Sequence, residues 1–93
     1  MEINDLVKGN KKFREVSFPR FEGNIKELVE HGQKPEVLFV GCSDSRITPD
    51  LMLDTEPGDM FILRNVGNFV PPYSPDDDFH GSSAAIEYAV SVL

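Results

Sequence analysis

Residues 38–50, LFVGCSDSRITPD, hold the chain's single cysteine, with an aspartate and an arginine at alternate positions after it: Cys42, Asp44 and Arg46. In extended backbone, side chains two apart point the same way, so these three converge while Ser43 and Ser45 face elsewhere. A thiolate and a carboxylate on one side offer two zinc ligands. An arginine beside Asp44 pairs with it, lowers its pKa and fixes its orientation. The plainer alternative is that Cys42 is a small buried hydrophobe and Asp44–Arg46 a local ion pair. Two other thiol chemistries lack parts. A cysteine phosphatase needs a phosphate cradle with its arginine further along, whereas Arg46 stands four positions after Cys42. A thiol hydrolase needs a histidine base. His31 falls at a helix end and His80 in the acidic loop PDDDFHG; neither has a supporting spacing, and both read as surface residues.

The elements around the motif are those of an α/β crossover. Val37–Val40 is a short apolar run bounded by Pro35 and Gly41, which suits a buried parallel strand. Thr48 and Pro49 look like an N-cap and first helical position, with Asp50 placed to meet the helix dipole. Cys42, Asp44 and Arg46 therefore fall in a strand-to-helix crossover, at the carboxyl end of a strand where open α/β sheets bind ligands. EPGD at 56–59 is a turn, and MFILRNV after it reads as a second buried strand. Upstream, Ile3, Leu6, Val7 and Phe13 mark an amphipathic helix over about 3–15, ended by Ser17 and Pro19. A second helix follows, with Ile25, Leu28 and Val29 facing inward and Gly32 as its stop. Residues 65–80, rich in Asn, Gly, Pro and Asp, form an ordered functional loop or a mobile one. GSSAAIEYAVSVL then starts a helix capped by Ser82 or Ser83, with Ile86, Ala89, Val90 and Leu93 on one stripe. The helical pattern runs to Leu93 without a stop signal, and the parallel sheet looks unfinished.

Composition narrows the partners. Ninety-three residues allow one small domain, and a hydrophobic fraction of 40% is enough for a core. A net charge of −7 disfavours nucleic acid and an anionic membrane as partners. The basic residues Lys8, Lys11, Lys12 and Arg14 read as a solvated helix face. One cysteine excludes an internal disulfide framework, so a reducing, cytoplasmic setting is expected. No signal peptide or apolar run of transmembrane length is visible.

Three blocks, GCSDSR, then EPGDMFILRNVGN, then GSSAAIEYAV, stand in an order and spacing that resemble the β-class carbonic anhydrases. The likeness extends to the N-terminal LVKGNKKF and covers nearly all of the chain, which matches roughly the first half of a family domain. The resemblance implies an α/β fold: a partial parallel β-sheet with flanking helices, residues 35–93, behind an N-terminal helical arm, residues 1–34. It implies that Cys42 is a zinc ligand and that Arg46 holds Asp44 off the metal, so that water takes the fourth position. In some members the aspartate matching Asp44 swings onto the zinc and closes the site. Gln33 resembles the family's substrate hydrogen-bonding glutamine. Phe61, Val66 and Tyr88 resemble the residues that line the CO₂ pocket from a neighbouring subunit. Without the family, these three are core and Gln33 is a turn residue.

The implied reaction is reversible hydration of CO₂ to bicarbonate. A catalytic zinc with three protein ligands lowers the pKa of its water to about 7, and the hydroxide attacks CO₂ in a small apolar pocket. Two departures from the family pattern stand out. The other two ligands belong to a Gly-His-x-x-Cys-Gly block that does not occur before Leu93, so Cys42 with Asp44 as an optional second donor is an incomplete Zn²⁺ site, weak or empty and inactive alone. Phe39 stands where some bacterial members carry a tryptophan in a regulatory bicarbonate pocket, although Arg64 is present. The expectation is a truncated or partial carbonic anhydrase acting on CO₂ and bicarbonate as a homo-oligomer, dimer or tetramer. The alternatives are a non-catalytic association module of the same descent, or a carbon disulfide or carbonyl sulfide hydrolase.

Overall fold

The structure is a computed structural model that describes residues 1–74 and 80–93; the acidic stretch 76–78 of the loop read from the sequence lies outside them. The chain divides into two compact units, Met1–Gly32 and Gln33–Leu93.

The first unit is helical. Helix α1 spans Ile3–Lys12, a π-helical segment spans Phe13–Ser17, and α2 spans Phe18–His31. At the start of α1 the Glu2 N–H donates to the Asp5 carboxylate at 2.8 Å, a capping arrangement that satisfies one otherwise orphan donor. The expected break at Ser17 and Pro19 does not occur. Between α1 and α2 the hydrogen bonds lengthen to five-residue spacing, with the Phe18 N–H donating to the Phe13 carbonyl. Pro19 then falls in the first turn of α2, where a helix asks for no N–H, so its missing donor costs nothing. Gly32, at φ 82°, ends α2 as expected, because a left-handed φ is a conformation glycine adopts without a Cβ penalty. Ile25 and Leu28 are half-buried, but Val29 is 82% exposed and does not face inward. Ile3, Leu6 and Val7 are also exposed.

The second unit is a strand–crossover–strand–helix arrangement. Strand β1 (Val37–Cys42) pairs in parallel with β2 (Met60–Asn65), from Val37 opposite Met60 to Cys42 opposite Asn65. The crossover holds the short helix α3 (Pro49–Leu53), with Thr48 at its N-cap position as read from the sequence, though its hydroxyl makes no capping bond. The EPGD turn closes through the Asp59 N–H on the Glu56 carbonyl and the Glu56 N–H on the Asp59 carboxylate. Helix α4 (Gly81–Ser91) lies against β2, with the rings of Phe61 and Tyr88 5.9 Å apart.

Two expectations need correction. The strands are half-buried rather than buried: among the described residues only Gly41 and Pro49 are buried. An apolar parallel strand is buried when both its faces are covered, and two strands with one helix against them leave much of that surface open. Nor do Ser82 and Ser83 cap α4, which begins earlier, at Gly81 with His80 in the N-cap position. The Ser82 hydroxyl instead accepts a hydrogen bond from the side chain of Asn65. No helix among the described residues is long and apolar enough to cross a membrane.

Candidate functional site

Cys42 is the last residue of β1, not the first of the crossover, so the ladder itself fixes where its side chain leaves the sheet. Immediately after it the chain is tied back to β2, with the Ser43 N–H donating to the Asn65 carbonyl at 2.8 Å. A turn follows, closed by the Ile47 N–H on the Asp44 carbonyl at 3.0 Å. This turn, and not the strand alternation expected from the spacing, brings Arg46 onto Asp44. The Arg46 backbone N–H and Nε both donate to Asp44 Oδ1, at 2.9 and 3.0 Å, and Nη2 donates to Oδ2 at 2.6 Å. Both carboxylate oxygens are thus engaged by one residue, through a bidentate guanidinium contact and an Asx-type bond to the backbone. The Arg46 side chain is 87% exposed and that of Asp44 29%, so solvent screens the pair and its main effect is orientation rather than stability.

Arg64, on β2, holds the outside of the same turn. Its Nε donates to the Cys42 carbonyl at 3.0 Å, and its Nη2 to the carbonyls of Asp44 at 2.9 Å and Ile47 at 2.7 Å. One planar fork therefore gathers three carbonyls that no strand or helix would otherwise satisfy. The Gly67 N–H, in the loop after β2, donates to Cys42 Sγ at 3.4 Å.

These contacts set the acidities. The Arg46 side chain, then its backbone N–H, hold the Asp44 carboxyl below the usual carboxylate range; the Arg64 charge adds to this and partial desolvation opposes it. The Gly67 N–H first, then the Asp44 N–H, pull the Cys42 thiol below the ordinary cysteine range, against desolvation and the negative charge of Asp44. Cys42 is half-buried and in no disulfide, and the same N–H donors favour the thiolate form that metals bind.

The other residues singled out in the sequence are placed elsewhere. Gln33 precedes the N-terminal end of β1, whereas Cys42 is at its C-terminal end. Phe61 lies near the start of β2, beside Tyr88, and lines a cleft of about 250 Å³ with Leu38 and Ala89. Val66, 85% exposed, lines a different cleft of about 320 Å³ with Asn65, Phe69 and the start of α4. One chain thus brings together Cys42, Asp44 and Arg46, but not these three with Gln33, Phe61 and Tyr88. Asn65 and Gly67 were not singled out from the sequence; the signal available was the RNVGN run at the end of an apolar strand. Among the described residues no three His, Cys, Asp or Glu side chains are grouped to hold a metal ion.

A sequence profile described as carbonic anhydrase matches residues 37–93, more than half of the chain. The chain belongs to the carbonic anhydrase family, and its structural neighbours place it in the β class. It is 44% identical over 88 residues to a carbonic anhydrase of Synechocystis sp., covering 95% of this chain and 31% of that protein. It is 42% identical over 91 residues to a carbonic anhydrase of Pseudomonas aeruginosa, covering 98% and 40%. Among solved structures, the β-carbonic anhydrase CcaA superposes with a TM-score of 0.85 at 43% identity, over 96% of this chain and 39% of that one. A tetrameric β-carbonic anhydrase of Sordaria macrospora superposes at 0.60 with 39% identity, over 96% and 39%. The chain spans about a third to two fifths of the length of these relatives.

Proposed function

We propose that these 93 residues are the part of a β-carbonic anhydrase that supplies the first zinc ligand, Cys42, and the Asp44–Arg46 dyad, in a protein that hydrates CO₂ reversibly to bicarbonate. The observation that carries this reading is the doubly engaged Asp44. Its carboxylate is spent on Arg46, so it neither closes on a metal beside Cys42 nor competes with a water for that metal. Cys42 fits one corner of a tetrahedral site: its sulfur is biased toward the thiolate and reachable from the carboxyl end of the sheet. The remaining donors lie outside these residues. When bound, zinc supplies a Lewis acid that lowers the pKa of water to about 7. Asp44, kept ionised and oriented by Arg46, would accept a hydrogen bond from a water held at that position. Arg64 holds the turn in which this happens. Gln33, Phe61, Val66 and Tyr88 act across a subunit boundary, with Gln33 donating to the substrate and the apolar three enclosing CO₂. A reduced thiol ligand fits a cytoplasmic setting.

Zinc content after exhaustive dialysis, with a CO₂ hydration assay, tests this. The 93 residues alone are expected to bind zinc weakly and to show no hydration, because zinc affinity comes from three or four preorganised donors. The same sequence continued through a Gly-His-x-x-Cys-Gly block is expected to bind one zinc per chain and to hydrate CO₂. One zinc per chain with measurable hydration from the 93 residues would overturn the incomplete-site reading. A second reading, a non-catalytic module that associates with itself or with a longer relative, is favoured by the exposed apolar residues of α1: Ile3 at 78%, Leu6 at 57% and Val7 at 63%. Zinc content and hydration of the continued chain separate the two; both expect association, so a strictly monomeric chain at micromolar concentration in light scattering would count against either.

A further inference from the structure

Asn65, the last residue of β2, engages its carbonyl and both ends of its side-chain amide. Its backbone carbonyl accepts the Ser43 N–H at 2.8 Å and the Asn68 N–H at 3.4 Å. Its side-chain nitrogen donates to the Phe69 carbonyl at 2.9 Å and to Ser82 Oγ at 3.2 Å, and its side-chain oxygen accepts the Phe69 N–H at 2.7 Å. The paired bonds to Phe69 form a closed ring, in which a planar side-chain amide replaces the backbone of a neighbouring strand. Only a side chain carrying a donor and an acceptor on one carbon can make that ring. Between its two ends lie Val66, Gly67 and Asn68, with Gly67 at φ 85° and Asn68 at φ 50°. Pinning 65 to 69 forces this three-residue excursion, and the excursion carries the Gly67 N–H to 3.4 Å from Cys42 Sγ.

We infer that Asn65 is a positioning residue for Cys42: it aims the Gly67 amide at the sulfur and so fixes the direction in which the sulfur offers its remaining lone pairs to a metal. The inference rests on Cys42 being a metal ligand. Ser43 and Cys42 are neighbours, so Asn65 grips the cysteine from both sides, through its backbone on the β1 side and through Gly67 on the loop side. The Ser82 bond anchors the loop to α4, which ties the sulfur's surroundings to the helix that packs on β2.

Amide exchange in the metal-free 93-residue chain at fixed pH, read by nuclear magnetic resonance, tests the aim without any metal. The Gly67 amide is expected to be protected, and in Asn65→Ala to exchange about tenfold faster, as loss of one hydrogen bond implies. Cys42→Ala, which removes the acceptor, is expected to do the same, and the double variant to be no faster than either, because both act through one bond. Amides of the β1–β2 ladder are expected to keep their protection throughout. If the alanine variant loses the ladder, Asn65→Asp decides, since it keeps the shape and the acceptor of the Phe69 N–H while it loses the two donations and turns a carboxylate oxygen toward the Phe69 carbonyl. An unprotected Gly67 amide in the unaltered chain, unchanged exchange in Asn65→Asp, or multiplied effects in the double variant would each overturn the inference. Its metal half is read separately by titrating cadmium ion into the chain continued through a Gly-His-x-x-Cys-Gly block and into the Cys42→Ala variant of that longer chain. A cadmium–thiolate absorption band that weakens in the variant supports that half; a band unchanged by the variant, with the exchange results intact, overturns it.

Discussion

The carboxyl end of the sheet and the N-terminal helical unit are built on opposite principles. Around Cys42, polar groups distant in sequence are tied to one another: Arg64 to the carbonyls of Cys42, Asp44 and Ile47, Asn65 to Ser43 and Ser82, Gly67 to the sulfur. In Met1–Gly32 the side-chain ion pairs are local, Lys11 with Glu15 and Lys26 with Glu22 one turn apart, and the apolar residues of α1 stand in solvent. The first region is preorganised by its own chain. The second has the sequence of a surface that gains its stability from contact. A region that must hold atoms to a fraction of an ångström carries its scaffold with it, and one that only has to bury area does not.

The largest effect is expected at the dyad. In a chain carrying the full ligand set, Arg46→Ala removes the two side-chain bonds to Asp44 and keeps the backbone one. Asp44 is then half-released toward the metal. Hydration is expected to fall about 10- to 100-fold, the range for residues that orient a ligand from behind, while zinc stays bound. Stopped-flow hydration beside elemental analysis reads the two quantities. Unchanged activity would make the pair merely structural, and the contrast between the two regions would then lose its functional meaning.

The sequence made one half of this contrast legible and left the other half obscure. Cys42, Asp44 and Arg46 could be found because the chemistry lies in their residue types and close spacing. Their spacing suggests strand alternation, but a turn closed by the Ile47 N–H on the Asp44 carbonyl is what joins them. Short apolar runs identified both strands, yet could not report their burial, which depends on what else covers the sheet. Pro19 reads as a stop because a proline in an α-helix removes a bond; a π-helical turn just before it leaves Pro19 in the first turn of α2, where no bond is required. Ser82 reads as a cap from its type and place, but its hydroxyl accepts from Asn65, seventeen residues away. The roles of Arg64 and Asn65 rest on contacts to backbone atoms, and no residue pattern announces a carbonyl that needs a partner.

Two substitutions probe the tied region at decreasing strength. Arg64→Ala removes three hydrogen bonds to carbonyls at once, although the Asp44 carbonyl keeps the Ile47 N–H, and unfolding in urea is expected to show a loss of about 2 kcal/mol, limited by the water that can replace the guanidinium at this exposed site. Arg64→Lys is expected to recover only part of it, because an ammonium cannot span the three acceptors as a planar fork does. Gly67→Ala is expected to cost about 1 kcal/mol, chiefly from backbone strain, since Gly67 sits at φ 85° and a Cβ there would meet the Phe69 ring at an ordinary 3.4 Å. If Gly67→Ala proves neutral, the loop is softer than its hydrogen bonds suggest.

The smallest effect is expected in the helical unit, and it sharpens the comparison from the other side. Lys26 Nζ lies 3.4 Å from Glu22 one turn earlier on α2, with the two side chains 73% and 47% exposed. In high dielectric such a pair gains little Coulomb energy, and holding two long side chains in one geometry offsets part of that gain. Its order, acid before base, agrees with the helix dipole, which adds a little. Lys26→Ala is therefore expected to change stability by about 0.3–0.5 kcal/mol at low salt, and by less at high ionic strength where the Debye length shrinks to a few ångströms. Urea unfolding at two salt concentrations measures both numbers. A salt-independent loss of more than about 1 kcal/mol would mean that the lysine stem is packed rather than solvated. The helical unit would then be interlocked in its own right, and the division between a self-supporting site and a contact-seeking arm would fail.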